Sequence, residues 1–464
     1  MRHLMPLLAA AALFLGTAPA YADLGDQLFK LLADDGAELD HFGRSVAISG
    51  TTAIVGAPWD DDNGSQSGSA YLFDTTTGRQ LFKLVSKDNA AEDQFGHSVA
   101  FSGTTAIVGS PNDDDNGSQS GSAYLFDLSE PKNPVQIAKL LPNDGTEGDG
   151  FGISVAISGA TAIVGACCDD DNGDLSGSAY LFDTTTGQQL FKLLPDDGAA
   201  GDLFGYSVAI SGSTAIVGAY LDDDNGDLSG SAYLFDTTTG QQIAKLLPDD
   251  GAAFDEFGRS VAISGATAIV GAWNDDDNGL DSGSAYLFDT TTGVQIAKLL
   301  PDDGAAADSF GWSVAISADG IGTTAIVGAG RDDDNGSSSG SAYLFDVTDG
   351  RQIAKLLPDD GAVGDLFGFS VAISPDGIGT TAIVGAYWDD DNDPFSGSAY
   401  LFDAADTGEC PWDLDSSGSV GILDLLALLA AWASDPGGPP DFDGDGTVSI
   451  LDLLALLANW GRCP

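Results

Sequence analysis

The stretch FGRSVAISGTTAIVGAPWDDDNGSQSGSAYLFDTTTGRQLFKL, residues 42–84, sets four short apolar segments (SVAIS, TAIVGA, SGSAYLFD and QLFKL) between runs of Gly, Asp, Thr and Ser. Segments of this length, rich in Val, Ile, Tyr and Phe and bounded by turn residues, read as strands. The pattern recurs. Phe-Gly, one free residue and Ser-Val-Ala begin at Phe42, Phe95, Phe151, Phe204, Phe257, Phe310 and Phe367, with spacings of 53, 56, 53, 53, 53 and 57 residues. Four antiparallel strands at that period predict an all-β fold, a seven-bladed β-propeller of four-stranded blades. The phase predicts how the ring closes. DQLFKLL, residues 26–32, is a fourth strand with no blade before it, and the seventh copy stops at SGSAYLFD, residues 396–403. The orphan strand should complete the seventh blade, leaving no unpaired edge between the first and last blades. A linear solenoid would leave that strand unexplained.

The first 22 residues, MRHLMPLLAAAALFLGTAPAYA, have a basic start, a short apolar run and the small-x-small ending Ala20-Tyr21-Ala22. This is the pattern of a secretory signal, with cleavage expected before Asp23. No later apolar run approaches the ~18 residues of a membrane-spanning helix, so a soluble, exported chain is expected. Lys and Arg number 16 against 71 Asp and Glu, a formal charge of −55, and only six of the acids are Glu. A field of that sign argues against nucleic acid or simple membrane binding. Asp is the shorter carboxylate, suited to turns and to holding cations from loops.

The repeats resemble the FG-GAP repeats of integrin alpha-chain propellers. The matching residues are Phe42-Gly43 with Gly56-Ala57-Pro58 and, less perfectly, Phe95-Gly96 with Gly109-Ser110-Pro111; later copies replace the proline. The resemblance covers residues 24–403 and implies a propeller of this kind. Integrin-like repeats usually carry a calcium loop between the first two strands of some blades. Here that turn is SGTT or SGAT, lengthened in the last two copies to SADGIGTT and SPDGIGTT, with one acid each, Asp319 and Asp376. Those calcium positions are therefore not inherited.

In an up-and-down blade, alternate connections emerge on the same face. The turns after strands one and three, SGTT and TTTG, are nearly uncharged, whereas the connections after strands two and four, DDDNG and PDDGAAGD, carry most of the acid. One face should be neutral and the other anionic. The Asp triplets allow two readings. Carboxylates about 6 Å apart in water repel by only about 0.7 kcal/mol, so solvated turns suffice. Alternatively the first and third members, as in Asp60 and Asp62, Asp113 and Asp115, Asp222 and Asp224, and Asp275 and Asp277, point the same way and hold calcium with a carboxylate from the neighbouring PDDG loop. The positions that vary between copies are the one after Phe-Gly and the pair after VGA or VGS. They supply Trp59, His97, Tyr206, Tyr220, Trp273, Trp312, Phe369, Tyr387 and Trp388, a candidate ligand-binding ring suited to a glycan or protein ligand, unless these positions simply drift. Catalysis finds little support. The innermost strand is SVAIS six times and SVAFS once, which leaves no distinguished residue near the axis. The string GSSSG at 336–340 follows a loop, not a strand, and is a chance match to a nucleophile elbow. No enzyme activity is expected.

After Asp403 the repeat stops. DLDSSGSVGILDLLALLAAW begins at Asp413 and DFDGDGTVSILDLLALLANW at Asp441, each a twelve-residue loop running into a Leu-rich helix. In the second, Asp441, Asp443, Asp445 and Asp452 stand at positions 1, 3, 5 and 12, with Thr447 at 7 and Gly446 at the sharp turn, a calcium-loop pattern. The first loop has Asp413, Asp415, Ser417, Ser419 and Asp424 in the corresponding places and should bind calcium more weakly. The pair resembles a dockerin, the duplicated calcium module that docks onto cohesin domains. That resemblance implies a cohesin-like or surface-anchoring partner, met by Ile422, Leu423, Ile450 and Leu451. Cys410 and Cys463 bracket the module, and in an exported protein a disulfide between them is expected. Adjacent Cys167 and Cys168 are left open. The expected organisation is a signal peptide (1–22), a propeller (23–405) and a dockerin-like calcium domain (406–464), in a secreted, bacterial binding or adhesion protein. The alternatives are a dockerin-borne carbohydrate-active enzyme and a repetitive structural surface protein.

Overall fold

The computed structural model describes residues 24–317, 324–374 and 381–404, and within the C-terminal segment residues 419–420, 422–432, 448–450, 453, 456–457 and 461–462. The first of these hold seven four-stranded antiparallel sheets. In blade 1, β2 (Ser45–Ser49), β3 (Thr52–Ala57), β4 (Ser69–Asp74) and β5 (Arg79–Leu84) pair in chain order. The same order holds in blades 2 to 6. The opening strand β1 (Gln27–Leu31) joins blade 7 as its outer strand, with Lys30 opposite Tyr400 and Leu31 opposite Ala399. The ring closes as the phase of the repeat requires.

Alternation along the strands explains why nearly every residue of TAIVGA and SAYLFD is apolar. In blade 1 Ala53, Val55, Tyr71 and Phe73 pack toward Ile383, Ala399 and Leu401 of blade 7. Ile54, Ala70 and Leu72 point the other way, toward Phe95, Val99, Val108 and Tyr124 of blade 2. Each sheet is thus buried on both faces, and the cores lie between blades. Phe42 fills the wedge ahead of β2, edge-on to Tyr71 at 5.5 Å and Phe73 at 5.7 Å. Burying a ring of that size contributes about 2–3 kcal/mol, once in every blade.

Around the axis the blades are stitched by a hydrogen bond that needs glycine. Ser45 Oγ donates to the Gly96 carbonyl at 2.9 Å, and the series runs blade to blade until Ser370 Oγ donates to Gly43 at 2.8 Å. A Cβ on Gly56 would overlap that same Gly96 oxygen. The Gly of each Phe-Gly pair and the Gly of each VGA segment are therefore partners across a blade interface.

The C-terminal segment contains one helix with described bounds, α1 (Ile422–Ala430), and a two-residue pairing of Ser419–Val420 with Gly461–Arg462. Leu428, Val448 and Leu456 are buried together there. Asp413, Asp415, Ser417, Asp441, Asp443, Asp445, Thr447, Leu451, Asp452, Cys410 and Cys463 lie outside the described residues, as do Asp319, Asp376 and the signal at 1–22. Ser419, Ile422, Leu423 and Asp424 fall on the short strand and α1, and Ile450 is exposed. Among the described residues no helix is long and apolar enough to cross a membrane.

A chain starting at residue 36 would lack β1 and expose the edge Ser398–Asp403. It is expected to unfold at lower temperature than the full chain and to self-associate with rising concentration. Calorimetry and size-exclusion chromatography check both outcomes.

Candidate functional site

The acidic connections come together as expected, but the cation at their focus is a lysine. Lys83, on β5 opposite Tyr71, reaches Asp60 at 2.7 Å, Asp62 at 2.6 Å and Asp35 at 2.8 Å. Asp60 and Asp62 are the first and third members of the blade's own triplet. Asp35 belongs to the loop that leaves β1, so the third pair ties blade 7 to blade 1. The arrangement repeats around Lys30, Lys139, Lys192, Lys245, Lys298 and Lys355, each meeting three aspartates. Lys30 lies on β1 and meets Asp360, Asp389 and Asp391, which brings chain start and chain end into one cluster.

Each member of the triplet has its own task. Asp60, with its side chain 4 % exposed, accepts from Tyr71 Oη at 2.7 Å and from the Asp62 amide at 3.0 Å as well as from Lys83. Asp61 faces solvent and accepts the Gln66 amide at 2.7 Å, fixing the turn. Asp62 stays exposed apart from its lysine. The ammonium sits 5.2 Å from the Tyr71 ring centre, within cation–π range. Burial works against the charge on Lys83, yet its hydrogen bonds to Asp35, Asp60 and Asp62 outweigh that and hold its pKa above the ordinary value. Asp35 is held below its ordinary value because the Lys83 contact outweighs its own partial burial. The carboxylates for which the sequence allowed calcium, Asp60, Asp62, Asp113, Asp115, Asp222, Asp224, Asp275 and Asp277, all belong to these lysine clusters.

The loop entering each blade ends in a further buried Asp. Asp40 accepts the Ala37 amide at 2.7 Å and is pushed up to about 6: burial is the chief cause, the Ala37 bond opposes it, and the charge of Asp60 adds to it. Asp93, Asp255, Asp308 and Asp365 are likewise raised to about 6.

The variable residues after Phe-Gly converge on the mouth of the central channel. A cavity of about 220 Å3 there is lined by the residues after Phe-Gly, among them Arg44, His97, Tyr206, Arg259, Trp312 and Phe369. This corrects the expectation that no side chain near the axis is distinguished: the SVAIS walls are uniform, but the residue ahead of each one is not. Trp312 contacts Trp273 at 4.6 Å and Phe369 at 5.2 Å, and Phe369 contacts Tyr387 at 4.2 Å between ring centres. Tyr206 meets Tyr220 at 4.7 Å. Trp59 stacks on His41 at 4.0 Å, and Trp388 lies against Tyr387. Three arginines interleave these rings. Arg259 lies 4.4 Å from the Tyr206 ring centre and 4.9 Å from Trp312, Arg44 lies 4.6 Å from Phe369, and Arg331 lies 5.3 Å from Trp273. The collar spans blades 4 to 7 and blade 1. Blades 2 and 3 contribute His97, which lines the cavity outside these ring contacts, Ile153 and the neighbouring Cys167 and Cys168, whose sulfurs are 3.2 Å apart as free thiols.

Sequence reasoning missed the lysines and left the arginines out of the ligand-binding ring. The signal was present. Seven of the nine lysines occupy one position of the repeat, in FKLL, FKLV or AKLL, a regularity that an exposed solubilising charge would not need. Arg44, Arg259 and Arg331 stand at the variable positions, but a ring defined by its aromatic residues leaves them out.

The chain matches the FG-GAP repeat family over residues 26–73, 79–126, 134–182, 188–235, 241–288, 294–345 and 351–402. Each matched segment begins at an outer strand and continues through the three inner strands of the following blade, so the family unit straddles two blades. That is the phase in which β1 closes the ring. No curated protein matches the chain.

The two sets of carboxylates act in opposite directions with pH. A carboxyl raised in the folded state binds its proton more readily there than when unfolded, so the Asp40 group should add stability as pH falls through about 6. The Asp35 group, held low by lysine, stabilises above the ordinary carboxylate range and is lost as pH falls below it. Buried His41 and His97, lowered to about 4 and about 3, oppose the first set as pH falls below about 6.5, but they are two groups against five, so the thermal midpoint should rise from pH 7.5 to about 5 and fall steeply below about 4. A midpoint that falls steadily from pH 7.5 would contradict this balance.

Proposed function

We propose, from the premise that this chain belongs to the FG-GAP repeat family, that it is a secreted, non-catalytic binding or adhesion protein whose channel mouth is the recognition site. The observation that carries the reading is the run of contacting rings Trp273, Trp312, Phe369 and Tyr387, with Tyr206 beside Arg259, of which Tyr206, Trp312 and Phe369 line the channel mouth, on a scaffold otherwise repeated from blade to blade. Flat rings beside polar groups suit a glycan, which stacks on the rings and is oriented by hydrogen bonds. The C-terminal segment is the attachment device: a dockerin-like module that takes calcium at Asp413, Asp415 and Asp424 and at Asp441, Asp443, Asp445 and Asp452, and docks on a cohesin-like or surface partner through Ile422, Leu423, Ile450 and Leu451. The host is bacterial, and the protein works outside the cell.

Trp312→Ala and Trp273→Ala are each expected to reduce retention on a glycan array at least tenfold without moving the thermal midpoint by more than a few degrees. A structural coat protein would show no ligand to lose. In the full chain, Asp441→Asn with Asp443→Asn should abolish the stronger calcium uptake measured by calorimetry; unchanged uptake would remove the tail from the account.

A further inference from the structure

We propose that the channel mouth binds the carboxylate of an acidic saccharide, with Arg44 and Arg259 as the anion-binding groups and Trp312 and Phe369 as the stacking wall. The inference rests on reading this mouth as a recognition site and names its ligand class. The lysines of the propeller clusters are each saturated by three carboxylates. Arg44, Arg259 and Arg331 are different: among the described residues none of them has an ion pair or a side-chain hydrogen bond, and their contacts are with ring faces. Stacking covers the face of a guanidinium and leaves its N–H edge unused, the edge that matches a carboxylate bidentately. Glu256, the acid beside Arg259, has its two oxygens engaged by Trp273 Nε1 at 2.7 Å and Asn274 Nδ2 at 3.0 Å, so it balances part of the Arg259 charge without occupying the guanidinium edge.

The local field is positive inside an acidic rim. Burial, reinforced by the charge of Arg44, lowers His97 to about 3 and His41 to about 4, so both imidazoles are neutral and add no competing cation. Burial also lowers Arg44, and the charge of Arg259 adds to that effect. Arg44, which has no such acid beside it, is a partly buried cation without a counter-ion, and an incoming anion relieves that cost. The surrounding aspartates repel a chain carrying many negative charges, which selects a compact ligand with a single carboxylate.

Shape supplies the saccharide half. A second cavity of about 210 Å3, lined by Arg331, Tyr387 and Trp388, shares Trp312 and Phe369 with the channel mouth. Two adjoining spaces that share aromatic walls suit two ring-sized units, the acidic one at the channel, where Arg44 and Arg259 both line the space, and a neutral one beside Trp388, where the Arg331 edge is left for sugar hydroxyls.

The test is calorimetric titration of the full chain with a disaccharide ending in glucuronate, its neutral glucose counterpart, and acetate. The acidic disaccharide should bind at least tenfold more tightly than either control, and Arg44→Gln and Arg259→Gln should each remove at least tenfold of that affinity. Equal affinity for the neutral disaccharide overturns this inference while leaving glycan recognition standing. Acetate binding as tightly as the acidic disaccharide overturns the saccharide class, and absence of binding by either disaccharide overturns the proposal outright. The comparison between ligands on the unaltered protein holds even where an arginine variant fails to fold.

Discussion

The structure depends on a lysine ammonium held by three carboxylates in each blade. Without it, Asp60 and its six counterparts would be buried charges, and a buried carboxylate with no partner costs several kcal/mol. With it, the first Asp of the triplet can sit inside the blade, bonded to a core tyrosine, while the third Asp and a loop Asp complete the shell at the surface. Because the loop Asp arrives from the preceding blade, every cluster is also an inter-blade tie. Of the 71 acids, 21 aspartates are held in this way by lysine.

Two further ties follow the same geometry. The outer-strand glutamine Gln80 accepts the Asp34 amide at 2.9 Å, and Gln27 of β1 does the same for Asp359, so the loop between blades is fixed at two adjacent points. On the inner side, Ser Oγ bonds to the next blade's Phe-Gly carbonyl. Core packing, axial hydrogen bonds and rim ion pairs thus all act across the same interface. A ring held in this way tolerates change where no tie passes, at the residue after Phe-Gly and the pair after VGA. Those are the positions that carry the arginine and aromatic collar. The regular part of the repeat makes the scaffold, and the irregular part makes the site.

The propeller was legible because its determinants are local and repeated seven times: period-two apolar strands, turn residues between them, and an orphan strand whose phase demanded closure. The convergence of first and third aspartates with a loop carboxylate was also legible, since alternate residues of a turn can share a side. The identity of the cation was not, because the lysine lies on a strand some twenty residues away, and only the strand register that puts Lys83 opposite Tyr71 delivers it. The collar was half legible. Its aromatic residues stand out as departures from the repeat, whereas the pairing of Arg259 in blade 5 with Tyr206 in blade 4 and Trp312 in blade 6 arises only when the blades are arranged around an axis.

If the lysine clusters hold neighbouring blades together, each lysine is energetically coupled to its partner from the preceding blade, and a double-mutant cycle measures that coupling. Lys192, on the outer strand of blade 3, meets Asp144 from the loop leaving blade 2 at 2.9 Å. Urea unfolding of Lys192→Met, Asp144→Asn and the double variant gives their coupling. The account predicts a coupling of about 0.5–2 kcal/mol, reduced by the exposure of Asp144, with the lysine variant clearly the more destabilised of the two. Strict additivity, with each single variant as stable as the unaltered protein, would contradict it.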